Sequence, residues 1–373
     1  MSAPTNSAAW LPAKHGRLEV GSAPFPTAGA DEIVVENRAV AVNPLEWILQ
    51  LVGGVIYPWL DYPFVLGSDV AGEVVEVGSA VTRFAVGDRV LGHATGTDKD
   101  ENSAAAGAFQ RFTVLRARMA SRIPDGLPFE NAAVLPLGLS TAACALFEKN
   151  QLALAHPSAD PVPSGETVLV WGGSTSVGSN AIQLAVAAGY EVVTTASPRN
   201  FAYVTALGAS RVFDYSSPTV VADLVAALRG TRLAGAVALG TGSSTPVAAV
   251  VRASEGRRVI AIASTPVSFA ALGDGGSRAR LPLILMRMGT AFAIQAVSMR
   301  LRGIRTTTVW GSALKDTEVG PAIYEHFLPA ALAEGRYVAA PDPIVVGAGL
   351  ESVQLGLDVQ REGVSARKVV ITL

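Results

Sequence analysis

Ser174, Thr175 and Ser176 put adjacent hydroxyls inside Val168-Leu-Val-Trp-Gly-Gly-Ser-Thr-Ser-Val-Gly178. The segment joins an apolar run to an Ala/Leu-rich one, which reads as strand, loop and helix. Such a loop binds phosphate: the helix start has free N–H groups and the positive end of a dipole to offer a pyrophosphate. Against the dinucleotide pattern G-x-G-x-x-G the register is Gly173-x-Thr175-x-x-Gly178, with Thr175 in place of the middle glycine. The hydroxyls of Ser174, Thr175 and Ser176 are expected to donate to phosphate in compensation. The plainer alternative is a structural strand–helix turn.

The next strand bears on which dinucleotide. An NAD site wants an acid at its C-terminal end to hold the ribose hydroxyls. Here the strand ends Thr194-Thr-Ala-Ser-Pro-Arg-Asn200, without one. Ser197, Arg199 and Asn200 offer donors suited to a 2′-phosphate, and an Arg fork grips two phosphate oxygens. The expected cofactor is therefore NADP(H) rather than NAD(H). A solvated surface charge is the other reading of Arg199.

Elements must hold these groups in place. From Thr167 the pattern alternates strand and helix. Strands are expected at Thr167–Trp171, Glu191–Ala196, Arg211–Tyr215, Gly235–Leu239, Arg258–Ala263 and Thr306–Trp310. Helices are expected at Ser179–Ala188, Asn200–Leu207 and Pro218–Leu228, the last opened by Pro and followed by Gly230. That alternation implies a doubly wound parallel sheet, which binds ligand where its strand order reverses. The first third differs. Glu32–Val42, Val70–Val77, Gly87–Gly92 and Phe109–Leu115 read as short strands punctuated by Gly and Pro. Beyond them lie a helix over Phe129–Phe147 and a Pro-rich linker, Pro157–Gly165. A helix over Val319–Ala333 and a strand over Lys368–Leu373 close the chain.

Composition narrows the function classes. The 373 residues are 50% apolar and 16% charged, with a net charge of −2. Disorder is excluded, and no basic footprint points to nucleic acid. Cys144 is the single cysteine, read as a small core residue; His15, His93, His156 and His326 lack paired metal spacing. No metal site is expected. The N-terminal residues do not read as a signal peptide. The apolar stretch Leu281–Met299 is interrupted by Arg287, so a buried or interface helix is expected there rather than a membrane span. The expected location is the cytoplasm.

Several segments together resemble the medium-chain dehydrogenase/reductase superfamily across nearly the whole chain. They are Ala41-Val-Asn-Pro44, Leu66-Gly-Ser-Asp-Val-Ala-Gly-Glu-Val-Val-Glu-Val-Gly78, Val86-Gly-Asp-Arg-Val90, Ser140-Thr-Ala-Ala143, Gly172–Gly178, Leu207-Gly-Ala209, Phe213-Asp-Tyr215 and Gly363-Val-Ser-Ala-Arg-Lys-Val-Val370. The resemblance implies an α/β protein with a GroES-like β-rich domain (1–137 and 312–373), a Rossmann domain (138–311) and an active site in the cleft between them. Zinc members carry a Cys near Asn43, a His-Glu pair where this chain has Ser68-Asp69, and a four-cysteine lobe; none is present here. The chain is thus similar to the zinc-independent branch of quinone oxidoreductases and enoyl reductases, above all the trans-acting enoyl reductases of polyketide pathways.

By that resemblance Ser174, Thr175, Ser176 and Val177 would hold the pyrophosphate. Ser197, Arg199, Asn200 and Tyr215 would surround the 2′-phosphate and base. Thr141, Leu239 and Gly240 would touch the cofactor. The implied chemistry is hydride transfer from NADPH to a C=C bond conjugated to a carbonyl. Without zinc, hydrogen-bond donors must polarise that carbonyl. Asn43, Tyr57, Tyr62 and Ser68 are the candidates, while Asp69 reads as a structural acid. Many relatives have a Lys where this chain has Ile48, which leaves substrate and reaction open. Quinone or carbonyl reduction, and NADPH binding without catalysis, are the alternatives. Expected partners are a small or carrier-bound acyl substrate, with no nucleic acid or membrane, in a monomer or homodimer.

Overall fold

The structure is a computed structural model; it describes residues 5–265, 269 and 281–373. The chain divides into two units, one of Met1–Leu137 with Gly320–Leu373 and one of Gly138–Val319.

The first unit is β-rich. Its strands are β1 (Asn6–Leu11), β2 (Glu19–Ala23), β3 (Glu32–Ala41), β4 (Phe64–Val65), β5 (Asp69–Val77), β6 (Arg89–His93), β7 (Phe112–Arg116) and β8 (Ala120–Arg122). The second unit contributes β9 (Glu166–Trp171), β10 (Glu191–Ala196), β11 (Arg211–Asp214), β12 (Arg232–Ala238), β13 (Val259–Ile262) and β14 (Arg305–Thr308). The returning chain adds β15 (Asp342–Ala348) and β16 (Arg367–Thr372) to the first unit.

A seven-stranded sheet runs β15-β16-β3-β5-β6-β8, with β7 also on β3; a three-stranded sheet runs β2-β1-β4. β3 is the axis, apolar and almost wholly buried along Ile33–Val35 and Ala39–Ala41. The C-terminal end of β3 is held on both sides. Ala41 pairs with Asp69 of β5 on one side and with Val370 of β16 on the other. In antiparallel register the residue two beyond Ala41, Asn43, then comes level with Lys368.

The second unit is one parallel sheet in the order β11-β10-β9-β12-β13-β14. The order reverses between β9 and β12, because the chain returns to β9's other side after β11. Val and Ile fill the interior strands, and Leu224, Val247, Val251, Met299 and Ile304 pack with them in one buried cluster. This is the doubly wound α/β sheet that the strand–helix alternation implies.

Two expected helices are altered by proline. Phe129–Phe147 divides into Phe129–Ala132 and Pro136–Phe147. Val319–Ala333 contains a π-helical turn, Ala322–Phe327, ahead of Pro329. Proline lacks an N–H and its ring clashes with the carbonyl four residues back, so the helix widens there. The stretch Leu281–Met299 is a helix, Leu281–Leu301, but not a buried one: of its side chains Ile284 and Met299 alone are buried.

Candidate functional site

The glycine loop begins where β9 ends. Gly172 turns the chain at φ +91°, a conformation that favours glycine. Its N–H donates to Thr195 Oγ1 (3.0 Å), and the N–H of Gly173 donates to the Thr195 carbonyl (2.9 Å), pinning the loop to β10. Thr175 is extended, at φ −75° and ψ 162°, so a side chain fits where the pattern has glycine. It is the N-cap of the helix Ser176–Ala187. Its Oγ1 accepts from the Gly178 N–H (3.0 Å) and donates to the Gly172 carbonyl (2.8 Å). The Thr175 hydroxyl is therefore engaged by its own loop and helix in this structure, where the expectation has all three hydroxyls turned to phosphate. Ser176 Oγ is buried with no hydrogen-bond partner. A buried unpartnered hydroxyl is costly; on a helix start whose first N–H groups lack intrahelical acceptors, it fits a phosphate. Val177 lies beside it in the first turn, and Ser174 is half-buried on the loop.

The remaining cofactor candidates, Thr141 apart, sit just past the C-terminal ends of the parallel strands. Leu239 donates its N–H to the Trp171 carbonyl (3.1 Å), so Leu239 and Gly240 leave β12 beside the glycine loop, at the reversal of strand order. Ser197 and Arg199 lie just past β10. The Tyr215 N–H reaches the Ala196 carbonyl (3.4 Å), and its ring is half exposed. Arg199 is exposed and forms no ion pair among the described residues. Asp214 pairs with Ala196, but its carboxylate accepts from the N–H and hydroxyl of Ser216 (2.9 and 2.7 Å). Asn200 is buried. Thr141 is half-buried on the helix Pro136–Phe147. A nicotinamide dinucleotide thus fits this edge of the sheet.

The first unit holds a buried polar network that sequence reading did not assemble. Asn43 caps the helix Pro44–Val52 in a capping box. Its N–H donates to Glu46 Oε2 (2.7 Å), and its Nδ2 to Asp69 Oδ2 (2.9 Å) and Glu46 Oε1 (3.4 Å). Lys368 Nζ donates to Asn43 Oδ1 and pairs with Asp69 Oδ2 at 2.8 Å. Asp69 Oδ1 accepts the Leu137 N–H (2.6 Å). Asn43, Glu46, Asp69 and Lys368 are all at least 95% buried. The Asn-x-x-Glu spacing was a legible signal for Glu46. Lys368 stands 299 positions from Asp69, and nothing but the strand register brings the two together.

Burial pushes the Glu46 carboxyl up to about 7, helped by Asp69 and opposed by Lys368. Below about 4.5 Glu46 is protonated in folded and unfolded chains alike. Between there and about 7 the unfolded chain ionises first, so stability falls as pH rises and levels off above. Glu46→Gln keeps the carbonyl that caps Asn43. It is expected to remove this fall, a gain of about 2–3 kcal/mol at pH 8 and little at pH 4.5. Urea midpoints at the two pH values read it; an equal effect at both refutes the assignment.

Tyr57 is buried, stacked edge-on against Trp59 at 5.1 Å, and its hydroxyl is pushed upward by burial and by Asp98. Tyr62 is half-buried; its hydroxyl is shielded from solvent and has no partner, and burial raises its pKa. Ser68 is 7% exposed, on the turn before β5. Ile48 is half-buried. Cys144 lies in the interior, its thiol pushed up to about 12 by burial. Among the described residues no three His, Cys, Asp or Glu side chains converge to hold a metal ion.

Residues 29–125 match the alcohol dehydrogenase GroES-like domain. The chain is 50% identical to dehydrogenase pigH of Monascus ruber, covering 99% of this chain and all of that one. It is 39% identical to trans-enoyl reductase himH of Aspergillus japonicus, covering 100% of this chain and 99% of that one. In fold it is similar to an alcohol dehydrogenase superfamily protein from Novosphingobium aromaticivorans (TM-score 0.71, 23% identity, 99% and 100% covered). A mycobacterial protein solved in complex with NADPH shares the fold too (TM-score 0.64, 23% identity, 99% and 100% covered). Full-length relatedness at this identity, over a β-rich unit and a parallel sheet with a glycine loop at its reversal point, places the chain in the medium-chain dehydrogenase/reductase superfamily of oxidoreductases.

Proposed function

We propose that this protein is a zinc-independent, NADPH-dependent reductase of C=C bonds conjugated to a carbonyl, in an enoyl thioester or enone. The observation that carries the cofactor choice is the end of β10. Arg199 is exposed and unpaired among the described residues, and Ser197 and Tyr215 stand by it. No carboxylate lies just past the strand to hold ribose hydroxyls. A 2′-phosphate supplies the anion that such an Arg lacks.

NADPH, when bound, would supply a hydride for the β-carbon of the substrate. The chain's own residues position and polarise. Ser176, with the first-turn N–H groups, would take the pyrophosphate; Gly172 makes the turn and Gly173 lets the loop lie against Thr194. The negative charge that develops on the substrate oxygen calls for a preset hydrogen-bond donor. The donor hydrogens of Asn43 are taken by Asp69 and Glu46. Tyr62, whose hydroxyl is unpartnered, and Ser68 are the proposed donors. A proton from water or from a tyrosine hydroxyl then goes to the α-carbon, giving the saturated carbonyl. The shared length with himH, a trans-enoyl reductase, supports this reaction class.

Arg199→Ala is expected to weaken NADPH binding by about 10- to 100-fold, the worth of a charge-assisted hydrogen bond, and to leave NADH binding nearly unchanged. Fluorescence titration with both cofactors reads it; equal losses refute the 2′-phosphate role. Oxidation of NADPH against enoyl thioesters, enones and quinones tests the reaction. Turnover of quinones alone moves the protein to quinone reduction, and binding without oxidation across the panel overturns the enzyme reading.

A further inference from the structure

We propose that the exposed face of the helix Leu281–Leu301 is a docking surface for an acidic, apolar-striped helix of a partner protein. At 1.5 Å per residue it is about 31 Å long. Its inner face carries Ile284, Met288, Ala291, Gln295 and Met299, and Met299 lies in the sheet's buried cluster. A second apolar stripe faces out. Leu283, Met286, Thr290, Ala293 and Val297 repeat at three- and four-residue steps, and all are exposed. That spacing is the seam of a helix–helix pair, where side chains of one helix enter holes on the other. A groove of about 500 Å³ lies along it, lined by Ala293, Ile294, Val297, Ser298, Leu301 and Arg302.

The charges choose the occupant. Residues 281–315 contain no Asp or Glu. Arg287 and Arg300 edge the stripe and Arg302 lines the groove, and none forms an ion pair or a side-chain hydrogen bond among the described residues. Arg305, by contrast, is spent on the carbonyls of Asn150 (3.2 Å) and Gln151 (2.7 Å). Three unpaired guanidinium groups beside an apolar seam call for carboxylates flanking an apolar stripe. A second copy supplies the opposite: its matching face is also purely cationic, so self-pairing sets Arg against Arg. An anionic bilayer matches the charge as well, but it offers no paired carboxylates at the spacing of the three guanidinium groups, and vesicle binding is the competing outcome of the test.

The test uses the full chain and a synthetic peptide roughly four heptads long, with Leu at a and d and Glu at e and g. A twin peptide carries Lys for Glu. Fluorescence anisotropy is expected to show binding of the acidic peptide, weakened at least about tenfold by raising salt past the screening range. Val297→Lys is expected to abolish it. The triple variant Arg287→Glu, Arg300→Glu, Arg302→Glu is expected to lose the acidic peptide and gain the basic twin, a gain that misfolding does not produce. NADPH affinity reports that both variants remain folded. Equal binding of the two peptides overturns the proposal. So does binding to phosphatidylglycerol vesicles with no peptide binding, or self-association in sedimentation that Val297→Lys abolishes.

Discussion

Asp69→Ala is expected to cost about 3–5 kcal/mol of stability, because it leaves the Lys368 ammonium buried without its counter-charge. Lys368 is 4% exposed and Asp69 not at all, so water does not replace the lost partner. The change also removes the carboxylate that accepts from the Leu137 N–H and from one Asn43 amide hydrogen. A buried pair is not itself strongly stabilising; removing one half is what costs. The double variant Asp69→Ala, Lys368→Met is therefore expected to recover a large part of the loss. Denaturant unfolding of both variants decides it. If the double variant is as unstable as the single one, the ammonium was not the source of the cost.

Gly178→Ala is expected to reduce nicotinamide-cofactor affinity by about 10- to 100-fold, the equivalent of the 1–3 kcal/mol that overpacking costs. An added Cβ would sit 2.2 Å from the Gly172 carbonyl oxygen and 2.8 Å from the Gly173 Cα. Both are backbone atoms of the phosphate loop, so the loop itself must move. Its N–H groups and Ser176 Oγ then leave the positions proposed for the pyrophosphate. Gly289→Ala is the control, since a Cβ there meets nothing within 4 Å. NADPH titration that returns wild-type affinity for Gly178→Ala removes the loop from the cofactor site.

The parallel sheet is readable because β9, β10 and β12 carry apolar runs and the first three strands each lead into a helix followed by glycine, at Gly189, Gly208 and Gly230. β1, β2, β4, β8 and β15 were not read. β4 is two residues long, and β2 is mostly solvent-facing, so neither carries a buried period-two pattern. β15 contains Pro343 and a bulge between Val345 and Gly347. The helix Pro44–Val52 is short, and its Asn43-x-x-Glu46 cap was its best signal.

The site divides along the same line. Local chemistry marks, from sequence alone, where a dinucleotide is expected, since loop, helix start and the Ser197–Asn200 segment are consecutive or nearly so. Superfamily membership was legible for the same reason, each motif being a short run. Tertiary structure alone decided how the polar groups are spent. Thr175 turned out to cap its own helix, and Asn43 to give its hydrogens to Asp69 and Glu46. It also decided that Lys368 meets Asp69 and that Leu281–Leu301 shows an apolar face to solvent. Residue type states what a side chain can donate. Which partner takes it depends on strand register and burial, and those are set by contacts between residues far apart in the chain.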